Sequence, residues 1–247
     1  MLNNFISKKI TNYIALILFL IPLSLLLFFT EKPNLTVPSS ETSGFIYHLF
    51  TNSAGSPFFL IPVSLLCFIP LLMRLTLKQC FTLWVRFAIL LVLAFSAKVV
   101  LKATTEIPRP YTEALTQMHV VSSPAEFYQS SDEEKTMLID NVKGQVNHWR
   151  VESWKDSMNY SFPSGHTIFV ASCVLFWGGF LLSHRKFIPL IILMTWATGV
   201  GFSRYWLGMH WPADLLASIA FSAFLFLFVP ESIPLPKWLS SILDKLS

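Results

Sequence analysis

Six stretches of this chain are apolar almost without interruption, near 11–29, 57–73, 81–101, 166–183, 187–203 and 213–229. A helix needs about 20 mostly apolar residues to cross a hydrocarbon core of about 30 Å, and these windows qualify, although some are short. The pattern predicts an all-α integral membrane protein with six transmembrane helices. The first window follows Lys8 and Lys9 and so resembles a secretory leader. It is long for one, and Phe28-Phe29-Thr30-Glu31 is a poor cleavage site, so it is read as a membrane helix.

Between the third and fourth windows lies a polar segment, 103–165, with its own helical signals. Ser131-Asp132-Glu133-Glu134 reads as a capping box, and Leu138, Val142, Val146 and Trp149 follow at helical spacing. A shorter helix is expected to start at Ser123-Pro124. This segment is expected to form a small helical cap, an insertion at about 103–162 within one domain spanning 1–247. Beyond the Pro-rich stretch 230–236, Trp238, Leu239, Ile242, Leu243 and Leu246 predict an amphipathic helix beside Lys237 and Lys245. There is no internal repeat and no low-complexity tract.

Composition agrees with lipid as the solvent. Of the 247 residues, 53% are hydrophobic and 13% charged, against roughly a quarter charged in soluble domains. The net charge of +4 is small and not concentrated in one block, so it carries no nucleic-acid footprint. Its distribution speaks to topology. With the N-terminus in the cytoplasm, Lys8, Lys9, Arg74, Lys78, Arg86, Arg185, Lys186, Lys237 and Lys245 all fall on that side. Segment 103–165, with nine Asp/Glu against five Lys/Arg, takes the opposite face. Cys67, Cys80 and Cys173 have no paired spacing, so neither a disulfide nor a metal site is expected.

Under that topology the strongly polar residues at the span ends gather at one face. Lys102 closes the third span, and Arg109-Pro110 follows. Ser164-Gly165-His166 opens the fourth, Ser203-Arg204 closes the fifth, and His210 and Asp214 flank the start of the sixth. Ionisable groups at membrane depth are costly and point to function. Lys102, Arg109 and Arg204 are three cations. Pro163-Ser164-Gly165 precedes a helix start, whose free N–H groups and positive dipole end favour an anion. Gly165 admits close backbone approach, and the Ser164 hydroxyl can donate. Together they suit a phosphate dianion. Lys98, one turn before Lys102, is read mainly as snorkelling to the interface.

The remaining groups supply chemistry. Asp214, in the first turn of a helix, can reach back to His210, fix its tautomer and leave Nε2 nucleophilic. His166 can give a proton to a leaving oxygen. Such a pair could transfer a phosphoryl group through a phosphohistidine. A two-metal mechanism would need several carboxylates, and this set offers only Asp214. No metal and no cofactor are expected. The other histidines, His48, His119, His148 and His184, are read as interfacial, and Trp206 and Trp211 as packing.

Three motifs, Lys102-x6-Arg109-Pro110, Pro163-Ser164-Gly165-His166 and Ser203-Arg204-x5-His210-x3-Asp214, resemble the signatures of the type 2 phosphatidic acid phosphatase superfamily, with no position departing from the pattern. The resemblance implies a metal-independent lipid phosphatase in the inner membrane of a Gram-negative bacterium, with a periplasmic active site. It implies that His210 is the nucleophile, Asp214 its orienting carboxylate and His166 the general acid. Lys102, Arg109, Ser164, Gly165 and Arg204 would hold the phosphate. The substrates it implies are phosphatidylglycerol phosphate, phosphatidic acid, lysophosphatidic acid, diacylglycerol pyrophosphate and undecaprenyl pyrophosphate, that is, phospholipids and polyprenyl phosphates drawn from the membrane. A dedicated undecaprenyl pyrophosphate phosphatase, or a lipid A phosphatase or phosphotransferase, could use the same residues. An anion transporter fits less well, because its site would lie nearer the midplane on broken helices.

Overall fold

The computed structural model describes residues 2–246, with side chains from Lys9 to Lys245, so the side chains of Lys8 and Leu246 lie outside the described residues. Every regular element among them is helical, and Lys143–Val146 forms an isolated bridge. The helices are α1 (Leu2–Phe29), α2 (Glu41–Ser53), α3 (Leu60–Leu72), α4 (Leu77–Thr105), α5 (Pro110–Gln117), α6 (Pro124–Gln129), α7 (Asp132–Asp140) and α8 (His148–Lys155). There follow α9 (Gly165–Cys173), which runs through a π-helical turn at Val174–Gly178 into α10 (Gly179–Ser183), then α11 (Phe187–Trp206), α12 (Pro212–Phe226) and α13 (Lys237–Leu246).

Each of the six apolar windows contains a helix. Four stretches are long and apolar enough to cross a membrane: Lys9–Phe29, Leu77–Gln117, Gly165–Ser183 and Phe187–Trp206. The other two, α3 and α12, have 13 and 15 residues, too few at 1.5 Å per residue to span about 30 Å unaided. α1 shows how such helices divide their surface. Ala15, Phe19 and Leu23 recur every four residues and are buried, whereas Ile14, Ile17, Leu18, Ile21 and Leu25 are exposed. Exposed apolar surface on that scale needs lipid against it.

α9 and α10 form the centre of the bundle. α9 packs on α4, α11 and α12, while α10 packs on α1 and α11. At the π turn the Asn12 side-chain amide donates to the Leu175 carbonyl at 2.7 Å. At the end of α12, the buried Lys9 ammonium donates to the carbonyls of Phe226, Leu227 and Val229. Arg86 Nε donates to Pro230 O nearby, so these cations close the end of the bundle away from Asp214.

α5 to α8 build a second, smaller core from Tyr111, Leu115, Phe127, Ile139 and Trp154. α6 begins after Ser123, and the Ser131 capping box forms on α7, as the sequence predicts. The helix expected to continue through Trp149 does not. α7 stops at Asp140, Gly144 turns the chain at a φ of +84°, and Asn147 restarts it as the N-cap of α8. Val142 and Val146 are buried from this turn, so their spacing reflected the cap core and not a single helix. α2 has no counterpart in the sequence reading. It packs on α8 and α11. α13 packs on α4, with Lys78 bridging Ser240 and Asp244, and leaves Trp238 and Ile242 exposed.

Candidate active site

The polar residues singled out at the span ends converge. Antiparallel packing puts the ends of α4 and α11 beside the starts of α9 and α12, so Lys102, Arg204, Ser164, His166 and Asp214 share one end of the bundle. Arg109 joins them as the N-cap of α5. His210 lies on the turn between α11 and α12. That turn needs Gly208 at a φ of +71°, a conformation costly for any residue with a Cβ. The Met209 and His210 amides then both donate back to Arg204 O.

The cap holds this turn from outside. Trp154 Nε1 donates to Leu207 O at 2.7 Å, the Tyr111 amide to Gly208 O at 3.1 Å, and Trp211 Nε1 to Pro108 O at 2.9 Å. Tyr111 and Trp154 stack at 5.2 Å. Trp206 packs against Tyr47 and under the Arg150 guanidinium, so both site-flanking tryptophans are packing residues.

His210 and Asp214 do not touch directly. Their closest approach is 3.8 Å, from Nδ1 to Oδ2. Ser161 stands between them, its Oγ 2.5 Å from Asp214 Oδ2 and 3.2 Å from His210 Nδ1. The proton positions follow from what each group can do. Arg109 Nη1 lies 3.3 Å from His210 Nε2, and a guanidinium only donates, so Nε2 must be the bare nitrogen. Nδ1 then carries the hydrogen and donates to Ser161, whose own hydroxyl donates to Asp214. Asp214 Oδ2 also accepts the Trp211 amide at 3.0 Å. Asp214 thus orients His210 through a serine that type and spacing did not indicate. Burial first, then the neighbouring Arg109, Arg204 and Lys102 charges, push the His210 pKa well below its ordinary 6.5. The imidazole is neutral near pH 7, with the Nε2 lone pair free.

Two of the cations, Lys102 and Arg109, are held by the stretch just before the Pro163-Ser164-Gly165 turn. Arg109 Nε donates to Asn159 O at 2.6 Å, Nη2 to Asn159 Oδ1 at 2.7 Å, and Nη1 to Met209 O at 2.8 Å. Lys102 Nζ donates to Tyr160 O at 2.5 Å and approaches Asn159 Oδ1 at 3.5 Å. Asn159 therefore sets both cations, and sequence reasoning missed it too. Arg204 Nη1 donates to Thr51 Oγ1 at 2.5 Å, while its buried Nε has no partner among the described residues. Thr51 comes from α2, the helix without a sequence forecast.

At the start of α9, the Ser164 amide donates to Ser218 Oγ at 2.9 Å, so it is not one of the free donors expected there. Ser164 Oγ accepts from the Thr167 amide and hydroxyl, which leaves its own O–H to donate elsewhere. The Gly165 and His166 amides at the first two helical positions lack intrahelical partners, as in any helix. Lys98 lies across Gly165 and does not snorkel away. A Cβ there would sit 2.8 Å from Lys98 Cδ and 3.4 Å from Nζ, so any larger residue would push the lysine from this position. The His166 imidazole has no hydrogen bond among the described residues. It lines a cavity of about 460 Å³ together with Arg204, Thr51, Asn52 and Asp156.

Fold and site together describe a class: an all-helical protein of membrane type, with clustered cations, a helix N-terminus and two histidines at one end of its bundle. The chain belongs to the PAP2 superfamily, whose family model matches residues 81–236. It is 32% identical over 153 residues to phosphatidylglycerophosphatase B of Escherichia coli (strain K12), covering 61% of this chain and 60% of that protein. Phosphatidylglycerophosphatase B of Haemophilus influenzae is 36% identical over 132 residues, 50% of this chain and 54% of the relative. The chain thus matches these curated relatives over somewhat more than half their length.

Proposed function

We propose that this protein is a membrane lipid phosphatase that removes the terminal phosphate of phosphatidylglycerol phosphate to leave phosphatidylglycerol. The proposal extends to phosphatidic acid, lysophosphatidic acid, diacylglycerol pyrophosphate and undecaprenyl pyrophosphate. The observation that carries it is the gathering of three cations, a helix N-terminus and two histidines at one end of the bundle, with Arg109 Nη1 3.3 Å from the bare Nε2 of His210. Similarity to phosphatidylglycerophosphatase B from several bacteria supports the substrate class.

The proposed mechanism follows from the proton positions. The phosphate takes the place of His210 Nε2 as the partner of Arg109 Nη1, and its oxygens also meet Lys102, Arg204 Nε, the Ser164 hydroxyl and the Gly165 amide. A buried donor without a partner costs about 1–3 kcal/mol, so Arg204 gains from an anion. His210 Nε2 forms a bond to phosphorus as the bond to the leaving oxygen breaks. His166, protonated once the bound phosphate's negative charge offsets the cations around it, gives its proton to that oxygen. Neutral His166 then takes a proton from water, which attacks phosphorus, breaks the P–N bond and releases inorganic phosphate. Ser161 and Asp214 stabilise the positive charge that His210 carries in between. We read the reaction as metal-independent, because Lys102, Arg109 and Arg204 already supply the positive charge.

We further propose six membrane spans within a single domain, with α3 and α12 as the short ones, and α5–α8 as a periplasmic cap. Lys and Arg placement supports cytoplasmic termini and a site facing the periplasm across a bacterial inner membrane. Pocket geometry supports sideways entry of lipid. An apolar groove of about 440 Å³, lined by Ile61, Leu65, Ile69, Ile192 and Trp196, runs between α3 and α11 up to Ser53. Ser53 lies between Asn52 and Gly55, which both line the His166 cavity, and its hydroxyl accepts from Trp196 Nε1 at 2.8 Å.

The test is phosphate release by the purified protein in detergent with excess EDTA, with phosphatidylglycerol phosphate and undecaprenyl pyrophosphate side by side. Chelator-resistant release, abolished in His210→Ala, is expected. Release that requires metal, or that survives in the variant, would overturn the reading.

A further inference from the structure

The cavity beyond His166 has a chemical character that phosphate binding does not use. His166 and Arg204 line it, whereas Lys102, Arg109 and His210 do not. In-line phosphoryl transfer puts the leaving oxygen opposite the nucleophile, on the side of the general acid. Under the mechanism above, this cavity receives whatever is attached to the departing oxygen. An apolar leaving group would call for apolar walls. The walls instead present the side chains of Asn52, Ser56, Ser153, Asp156 and Ser157, with Phe58 at the edge.

These groups are ordered by a histidine with no part in the chemistry. Asn52 Nδ2 lies 2.8 Å from His48 Nε2, and His48 Nδ1 lies 3.3 Å from Ser153 Oγ. With the Asn52 amide donating, His48 carries its hydrogen on Nδ1 and donates to Ser153. The Ser153 hydroxyl and the Asn52 carbonyl oxygen are then both left for the cavity. Burial holds the His48 pKa below its ordinary value, so this neutral relay persists near pH 7. Packing of His48 on Trp149 at 4.8 Å fixes the ring. His48 is therefore a positioning residue and not the interfacial histidine its sequence context suggested.

Asp156, at the end of α8, adds a carboxylate to the same wall. A carboxylate in a phosphatase cavity is a choice against anions. It accepts from a hydroxyl, and it repels a second phosphate.

We propose that this cavity is a leaving-group pocket specific for a hydroxyl-bearing head group such as glycerol, which is uncharged next to the departing oxygen, with Asp156, Asn52 and Ser153 as its specificity-determining residues. The pocket favours a phosphorylated glycerol head group, whose departing part carries a free hydroxyl, over a diphosphate, whose departing part is itself an anionic phosphate. This inference rests on the phosphatase reading above and names what that reading leaves open, the basis of substrate choice.

The experiment compares full-length wild type with Asp156→Asn, Asp156→Glu and Ser153→Ala in the same detergent micelles with EDTA. kcat/KM is measured on phosphatidylglycerol phosphate and on undecaprenyl pyrophosphate, and thermal midpoints are recorded. Loss of one hydrogen bond to a charged acceptor is expected to cut Asp156→Asn turnover of phosphatidylglycerol phosphate about tenfold or more. Its turnover of the diphosphate should hold or rise, so the ratio of the two swings by at least that factor. Asp156→Glu, which keeps the charge, should retain most of the wild-type ratio. Equal changes on both substrates in Asp156→Asn, or a ratio within twofold of wild type, would overturn the pocket assignment. If wild type released phosphate from neither substrate, the phosphatase reading itself would fall, which is a different result from an unmoved ratio. A lowered midpoint in Asp156→Asn with an unmoved ratio would reduce Asp156 to a structural role.

Discussion

Ser161→Ala tests the relay between Asp214 and His210. The substitution removes the acceptor 3.2 Å from His210 Nδ1, the only one hydrogen-bonded to it among the described residues, and leaves Asp214 Oδ2 at 3.8 Å. A buried donor without its partner costs about 1–3 kcal/mol, and 1.36 kcal/mol is tenfold in rate. The loss grows in the transition state, where His210 gains positive charge, so it should appear in kcat. A fall of about 10- to 100-fold in kcat is expected, with KM within about threefold. Asp214→Asn should cost more, about a thousandfold or beyond, as loss of a histidine-orienting carboxylate does in hydrolytic triads. The relay gives the physical reason: the substituted amide can donate to Ser161, whose hydroxyl then turns toward Nδ1 and drives the proton to Nε2. Without Ser161 that reversal cannot be transmitted, so the double variant should be no slower than Asp214→Asn alone. The assay is steady-state phosphate release from phosphatidylglycerol phosphate in EDTA. Ser161→Ala within twofold of wild type, or strictly multiplicative losses in the double variant, would refute the relay.

Asn159→Ala should raise KM a few-fold to about tenfold and lower kcat as well, since it removes the side-chain oxygen that Arg109 and Lys102 share while their backbone acceptors remain; an unchanged KM in the same assay would contradict that shared anchoring. The depressed His210 pKa makes a signed prediction for stability. The folded protein keeps His210 neutral while the unfolded chain protonates it below about pH 6.5, so its contribution is complete above 6.5 and is lost as pH falls. Between pH 7.5 and 5.5 the thermal midpoint should fall further in wild type than in His210→Gln; equal falls would contradict it. Lys9→Met should destabilise the protein by about 1–3 kcal/mol by leaving the carbonyls at the end of α12 without their donor, with KM unchanged, as read by thermal unfolding and kinetics.

Much of this protein was legible in its sequence, because lipid simplifies the code. Each apolar window holds a helix, and local cap chemistry set the starts of α6 and α7, since a Ser side chain and a backbone amide three residues on need nothing else. The expected phosphate and histidine residues come together for a related reason. Each sits at a helix end, and antiparallel packing alone brings alternate ends to one face. What the sequence could not show are the contacts whose partners lie far along the chain. Asn159 and Ser161 are ordinary polar loop residues until folding sets them against Lys102, Arg109 and His210. Thr51 reaches Arg204 only because α2 packs on α11. Asn52 and Asp156, 104 positions apart, face one cavity only through the docking of α2 on α8. The spacing that suggested one helix through Trp149 belonged to a core closed by a turn at Gly144. Periodicity records that a side chain is buried but not what buries it, so the sequence determined the apolar helices and the chemical groups, and tertiary packing decided which of those groups meet.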